Sequence, residues 1–119
     1  MTSKKIIILS AMLLFFTGCA AKITESGYYW GEYSETYYEY IKSPSEETVT
    51  NHFNTLNHII SKSNELGLKV PPGVYAELGF ITAKKGNNEE GIPFYEQEVK
   101  LYPESKHFIE RLITGSKEK

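Results

Sequence analysis

Apolar residues recur at helical intervals along most of the chain, and turn-forming residues divide them into segments. Val49, Phe53, Leu56 and Ile60 follow one another at steps of four, three and four, which puts them on one face of a helix. Just upstream, Ser43-Pro44-Ser45-Glu46 predicts its start, with Ser43 as N-cap, Pro44 at the first helical position and Glu46 three residues after the cap. Gly67 predicts the end near Leu66, with Leu68 covering it. Pro71 forces Val70 out of helical geometry, and Pro72 opens a second helix through Tyr75, Leu78 and Ile81 that stops at Gly86. A third, from Asn88 to Tyr102, carries Ile92, Tyr95, Val99 and Tyr102 on one face, and Pro93 within it predicts a late start or a kink. Pro103 closes it, and Phe108, Ile109, Leu112 and Ile113 form a last amphipathic helix ended by Gly115. Earlier, Ser34 offers a cap for a short helix carrying Tyr37, Tyr38, Tyr40 and Ile41. Strand alternation is nowhere evident, so the expected fold class is all-α.

Between Pro72 and Ser105 the spacing is more specific. Tyr75-x-x-Leu78-Gly79, Gly86 at the turn, Gly91-x-x-x-Tyr95 and Pro103 resemble one tetratricopeptide repeat, a helix-turn-helix of about 34 residues, with Thr82 where the repeat carries tyrosine. The physical content of the pattern is contact: Gly79 and Gly91 allow the helices to approach closely while Tyr75 and Tyr95 fill the space beside them. A generic helical hairpin shares part of it. The expected architecture is a short tetratricopeptide-like α-solenoid of about four to five helices over residues 43–115, followed by a tail at 116–119.

The start of the chain reads as an address. Lys4 and Lys5 precede an apolar run from Ile6 to Phe16 broken only by Ser10, and small residues Thr17 and Gly18 lead to Cys19, a signal-peptide profile. A run of eleven residues is too short to cross a hydrocarbon layer about 30 Å thick. Phe16-Thr17-Gly18-Cys19 resembles the bacterial lipoprotein signal, with Phe16 in place of the usual leucine. That resemblance implies a signal peptide at 1–18, lipid on the Cys19 thiol and new amino group, and a lipidated tether at 19–27. Two or more acyl chains anchor firmly where one does not. Ala20 and Ala21 after the cysteine, without Asp, resemble lipoproteins forwarded to the outer membrane.

At 119 residues there is room for one small domain, and with one cysteine no disulfide can form within the chain. Thirteen Lys and Arg stand against fifteen Asp and Glu, and every acid is a glutamate. Removing residues 1–18 takes away Lys4 and Lys5, leaving 11 minus 15, or -4. This argues against nucleic acid, which needs clustered cations; Lys84-Lys85 sits near a predicted helix end, where cations suit the helix dipole.

Candidate chemistry is sparse. His52, His58 and His107 are the metal candidates, but the first two lie about 600° apart round one helix and cannot share an ion through one face. The expectation is surface or half-buried histidines and no metal or cofactor beyond the covalent lipid. Nucleophilic catalysis lacks a Gly-x-Ser-x-Gly elbow and an Asp to orient a histidine, and Glu46-Glu47 and Glu89-Glu90 read as first-turn acids on helix dipoles. The chain is expected not to be an enzyme; a pocket joining His52 or His107 to Glu77 would revive a small hydrolase.

Residues 28–42 form an aromatic-rich segment. Tyr28, Tyr29, Trp30, Tyr33, Tyr37, Tyr38 and Tyr40 place seven aromatics in thirteen residues, directly after the tether. Two readings stand: a cap packed on the first helices, or an interface, since Tyr and Trp offer large contact area at low entropy cost. The partner-binding candidates are Tyr29, Trp30, Tyr33 and Tyr37.

A wider resemblance covers nearly all of the chain after Cys19. Tyr29-Trp30-Gly31-x-Tyr33, Tyr37-x-x-Tyr40, Ser43-Pro44-Ser45, Gly67-Leu68-x-Val70-Pro71-Pro72-Gly73-x-Tyr75-Ala76-Glu77-Leu78-Gly79 and Leu101-Tyr102-Pro103-Glu104-Ser105 resemble an uncharacterised family of small Gram-negative outer-membrane lipoproteins, often encoded beside a lipoprotein similar to the curli secretion channel. The resemblance implies a non-catalytic scaffold or accessory subunit of an envelope secretion or assembly complex, lipid-anchored on the periplasmic face of the outer membrane. Its partners would be other envelope lipoproteins or a secretion-channel-like protein. A single repeat with flanking helices is marginal alone, so an oligomer or hetero-complex is expected. The alternative is a module binding peptidoglycan or another glycan through the aromatic cluster.

Overall fold

The computed structural model describes residues 27–86 and 88–117. Among them are five α-helices and no strand: α1 Tyr33–Lys42, α2 Glu46–Glu65, α3 Val74–Lys84, α4 Asn88–Leu101 and α5 Lys106–Lys117, with a 3-10 turn at Pro103–Ser105 before α5. Each helix packs on the next, and α3 also touches α5, as in a short helical solenoid.

Local chemistry sets the boundaries, in places differently from the expectation. The cap of α2 is Ser45, two residues later than Ser43. Ser45 Oγ accepts the Thr48 amide at 3.1 Å and the Ser45 amide donates to Thr48 Oγ1 at 2.9 Å. This reciprocal box satisfies two end amides and leaves Pro44 outside the helix. α1 starts after Glu32 without a side-chain cap, and Ser34 lies in its first turn. α3 starts at Val74, after Gly73 with a φ of 92°, a conformation that favours glycine; Pro72 therefore precedes the helix. α4 runs unbroken from Asn88 through Pro93, so there is no late start. α5 continues past Gly115, which keeps negative φ, to Lys117.

The core lies on both sides of α3. Leu56, Ile59, Val70, Val74, Leu78 and Ile81 form one cluster, with Tyr29, Trp30, Tyr33 and Phe53 packed against it. Ala76, Tyr95 and Ile109 form the second, beside Val99, Leu112 and Ile113. Full burial of a Leu or Ile contributes about 1.5–3 kcal/mol, so the central plank is held from two faces. Between α3 and α4 the backbones meet at glycine. A Cβ on Gly91 would stand 2.6 Å from the Gly79 carbonyl oxygen, and one on Gly79 would stand 2.6 Å from the Tyr95 ring. Leu78 is buried within this layer, Tyr75 is half-buried, and Pro103 is exposed at the start of the 3-10 turn.

The buried stripes keep Leu56, Tyr95 and Tyr102 of the predicted faces and otherwise sit one position away. α2 buries His52, Leu56, Ile59 and Ser63, with Val49, Phe53 and Ile60 at the margins. α4 buries Gly91, Tyr95 and Glu98, while Ile92 and Val99 flank them. In each helix polar residues hold central places that an apolar count assigns to neighbours.

Candidate functional site

Tyr33, Thr36, Tyr37 and Tyr40 share one face of α1, and that face closes over His52 of α2. The imidazole has 0% exposure, which corrects the expectation of a surface or half-buried histidine. Thr36 Oγ1 lies 2.9 Å from Nδ1, and Glu77 Oε1 of α3 lies 3.2 Å from Nε2. The Tyr40 ring stacks on the imidazole at 5.7 Å and 10°, while Tyr33 and Tyr37 approach it inclined at 5.4 and 5.6 Å. With Nε2–H donating to the carboxylate, Nδ1 accepts the Thr36 hydroxyl proton, and both ring nitrogens are satisfied. The Glu32 and Tyr33 carbonyls, 3.2 and 3.4 Å from Thr36 Oγ1, are the competing acceptors for that proton. Burial pushes the Tyr33 pKa far above the usual tyrosine value, and its hydrogen bond to Glu77 pushes it further.

Hydroxyl, imidazole and carboxylate in this order resemble a nucleophile relay. The ring, however, presents no surface to a substrate and has no free nitrogen. What the geometry performs is attachment: three helices meet on one histidine, and an α1 that buries no residue of its own is fixed by aromatic contact and one buried polar chain.

A second polar anchor lies across α3. Glu98 of α4 is 3% exposed, and its Oε1 accepts the Gly73 amide at 2.7 Å, where the helix dipole favours negative charge. Burial raises its pKa; the amides of Gly73, Ala76 and Tyr75 oppose that rise, and Glu104 adds to it. Nearby, the buried Tyr102 hydroxyl donates to the Val70 carbonyl at 2.6 Å, tying the end of α4 to the loop before α3.

The family profile described as Domain of unknown function (DUF4810) matches residues 28–112. The chain belongs to this family. No curated protein and no solved structure matches it. The DUF4810 match starts at Tyr28 and so contains the His52 clamp, the Gly79–Gly91 contact and Glu98.

Within that match the aromatic segment divides. Tyr29, Trp30 and Tyr33 pack against the core: the Tyr29 hydroxyl lies 3.5 Å from His58 Nε2, and Trp30 meets Tyr33 edge-on at 5.1 Å. Tyr37 stacks on Tyr33 at 5.6 Å and 9° but stays partly open. Beyond it Tyr38 and Ile41 are 59% and 58% exposed. His58 and His107 are exposed, the latter 3.4 Å from Arg111, and no three potential metal ligands converge among the described residues. Cys19 lies outside the described residues. Glu98 escaped the sequence reading, although a signal exists: it falls on the 91–95–98–102 face, where a glutamate among Gly and Tyr marks a buried anchor.

Proposed function

We propose that this protein is a non-catalytic, lipid-anchored scaffold or accessory subunit of a cell-envelope secretion or assembly complex, held by Cys19 on the periplasmic face of the outer membrane. The observation that carries the scaffold reading is the outer face of α1. Tyr38 and Ile41 are exposed on a helix whose inner face is locked to His52, with the partly open Tyr37 at its edge, and an apolar face in water suits a protein partner. The clamp supports the non-catalytic part, since His52 is sealed and doubly bonded.

Glycan binding is the weaker reading, because stacking needs open ring faces. One face of Tyr37 is taken by Tyr33, and Lys42 Nζ lies 5.3 Å from the Tyr38 centroid. The test is crosslinking in intact cells, followed by purification of a tagged copy and mass spectrometry, for wild type and a Tyr38→Ser, Ile41→Ser double variant. We expect envelope proteins recovered with the wild type and lost with the variant. Recovery of wall fragments alone, or of the same proteins from both, overturns the reading.

A further inference from the structure

At the far end of the stack, α3 and α5 leave a groove of about 460 Å³ lined by Phe80, Lys84, Arg111, Leu112 and Gly115 among others. Phe108, 58% exposed, lies on the same face of α5, one turn before Leu112. Among the described residues no carboxylate lines the groove: its apolar floor carries Lys84, folded over the Phe80 ring at 5.4 Å, and Arg111. The outer face of α1 is its complement. Tyr38 and Ile41 stand there with exposed Glu35 and Glu39, and Lys42 is the helix's one cation. Charge follows the same division. Residues 32–47 hold five glutamates against Lys42, whereas α5 holds Lys106, Arg111 and Lys117 against Glu110.

We propose that the groove between α3 and α5 receives the α1 face of a second copy of this chain. This inference rests on the reading of the α1 face as a docking surface and names its partner. Two copies joined α1 to α1 would set one net-negative face against another, with Lys42 the one cation on each, and two joined groove to groove would set two cationic rims together. Only the head-to-tail arrangement pairs opposite charges around both apolar strips. Such a contact joins unlike surfaces, so it repeats, giving a ring or an open row rather than a closed pair. One helix face is smaller than a standard interface of about 800 Å² per partner, so the contact is at the weak end and gains from the higher effective concentration of copies that share a membrane.

The test uses the full chain solubilised in detergent and sedimented from low to high micromolar concentration. The variants are Lys84→Glu with Arg111→Glu, and Glu35→Lys with Glu39→Lys, all at exposed positions. Wild type should associate with rising concentration. Each variant alone should bind itself at least about tenfold more weakly, a loss of 1.4 kcal/mol or more, because its two ends now carry the same sign. Mixing the two variants should restore association. A wild type that stays monomeric throughout, or variants that each associate as wild type does, overturns the inference. A monomer that still recovers other envelope proteins through Tyr38 and Ile41 in cells fails this inference alone; loss of that recovery as well would fail the scaffold reading.

Discussion

Glu98 is a carboxylate shut inside a small domain, and its helix-end amides only partly offset the cost of burial. Its folded pKa lies above the ordinary value, so protonation favours the folded state. The stability it contributes is full below the unfolded pKa of about 4.3 and is lost as pH rises through the folded pKa. Thermal melts from pH about 4 to 7 should therefore show wild type losing stability relative to Glu98→Gln as pH rises; parallel profiles would refute this. His52 poses the opposite case, a polar ring with every partner in place. His52→Ala leaves a cavity beneath Tyr40 and strips a partner from both Glu77 and Thr36, at a cost of about 2–4 kcal/mol. Because α1 buries no residue of its own, hydrogen exchange should accelerate first in Tyr33–Lys42. Unchanged α1 protection in a folded variant would mean that the aromatic contacts hold the helix without the histidine.

Between elements, the closest tolerance is the glycine contact of α3 with α4. Gly91→Ala drives a methyl onto the Gly79 backbone carbonyl, and Gly79→Ala meets both the Tyr95 ring and the Gly91 carbonyl. Alanine's helix preference returns about 0.5–1 kcal/mol, less than the roughly 1–3 kcal/mol that overpacking costs. Each variant should melt several degrees lower, about 4–8 °C per kcal/mol in a domain of this size. Gly115→Ala, with nothing within 4 Å of its added methyl, should melt no lower than wild type, and an equal loss at all three positions would remove the contact argument. This interface was readable from Gly79, Gly91 and Tyr95 because small residues at helical spacing have few uses other than close approach. The helices themselves were legible for a related reason, since Gly67, Gly86 and the Pro71-Pro72 pair punctuate them. What the pattern concealed was the centre of two stripes: His52, Ser63 and Glu98 are polar, and the partners that make burial of His52 and Glu98 tolerable, Thr36, Glu77 and the Gly73 amide, come from other segments of the chain. Likewise Ser45 displaced Ser43 as cap because the Thr48 hydroxyl closes a reciprocal box that the spacing of Glu46 from Ser43 only imitates.

For the whole molecule, the decisive variable is where the first helix is held. No helix among the described residues is long and apolar enough to cross a membrane, so attachment falls to Cys19 in the proposed reading. Residues 19–27 extend at most about 30 Å, which keeps α1 near the bilayer, and a head-to-tail row of copies must then run along the membrane with every tether on one side. Holding the copies on one surface also supplies the effective concentration that a small contact requires. Both consequences hang on one atom, the Cys19 sulfur. Replacing it by Cys19→Ser should abolish incorporation of labelled fatty acid, leave the 1–18 segment uncut and shift the protein out of the outer-membrane fraction, with the melting temperature of the helical domain unchanged because Tyr28–Leu112 is untouched. Crosslinking between copies in cells should fall together with the label, since the uncut chains no longer share the outer-membrane surface on which the lipidated copies are concentrated and aligned. Retained fatty acid in the serine variant would place the anchor elsewhere. Crosslinking that persists after the label is lost would show that the end-to-end contact is strong enough to form without the membrane.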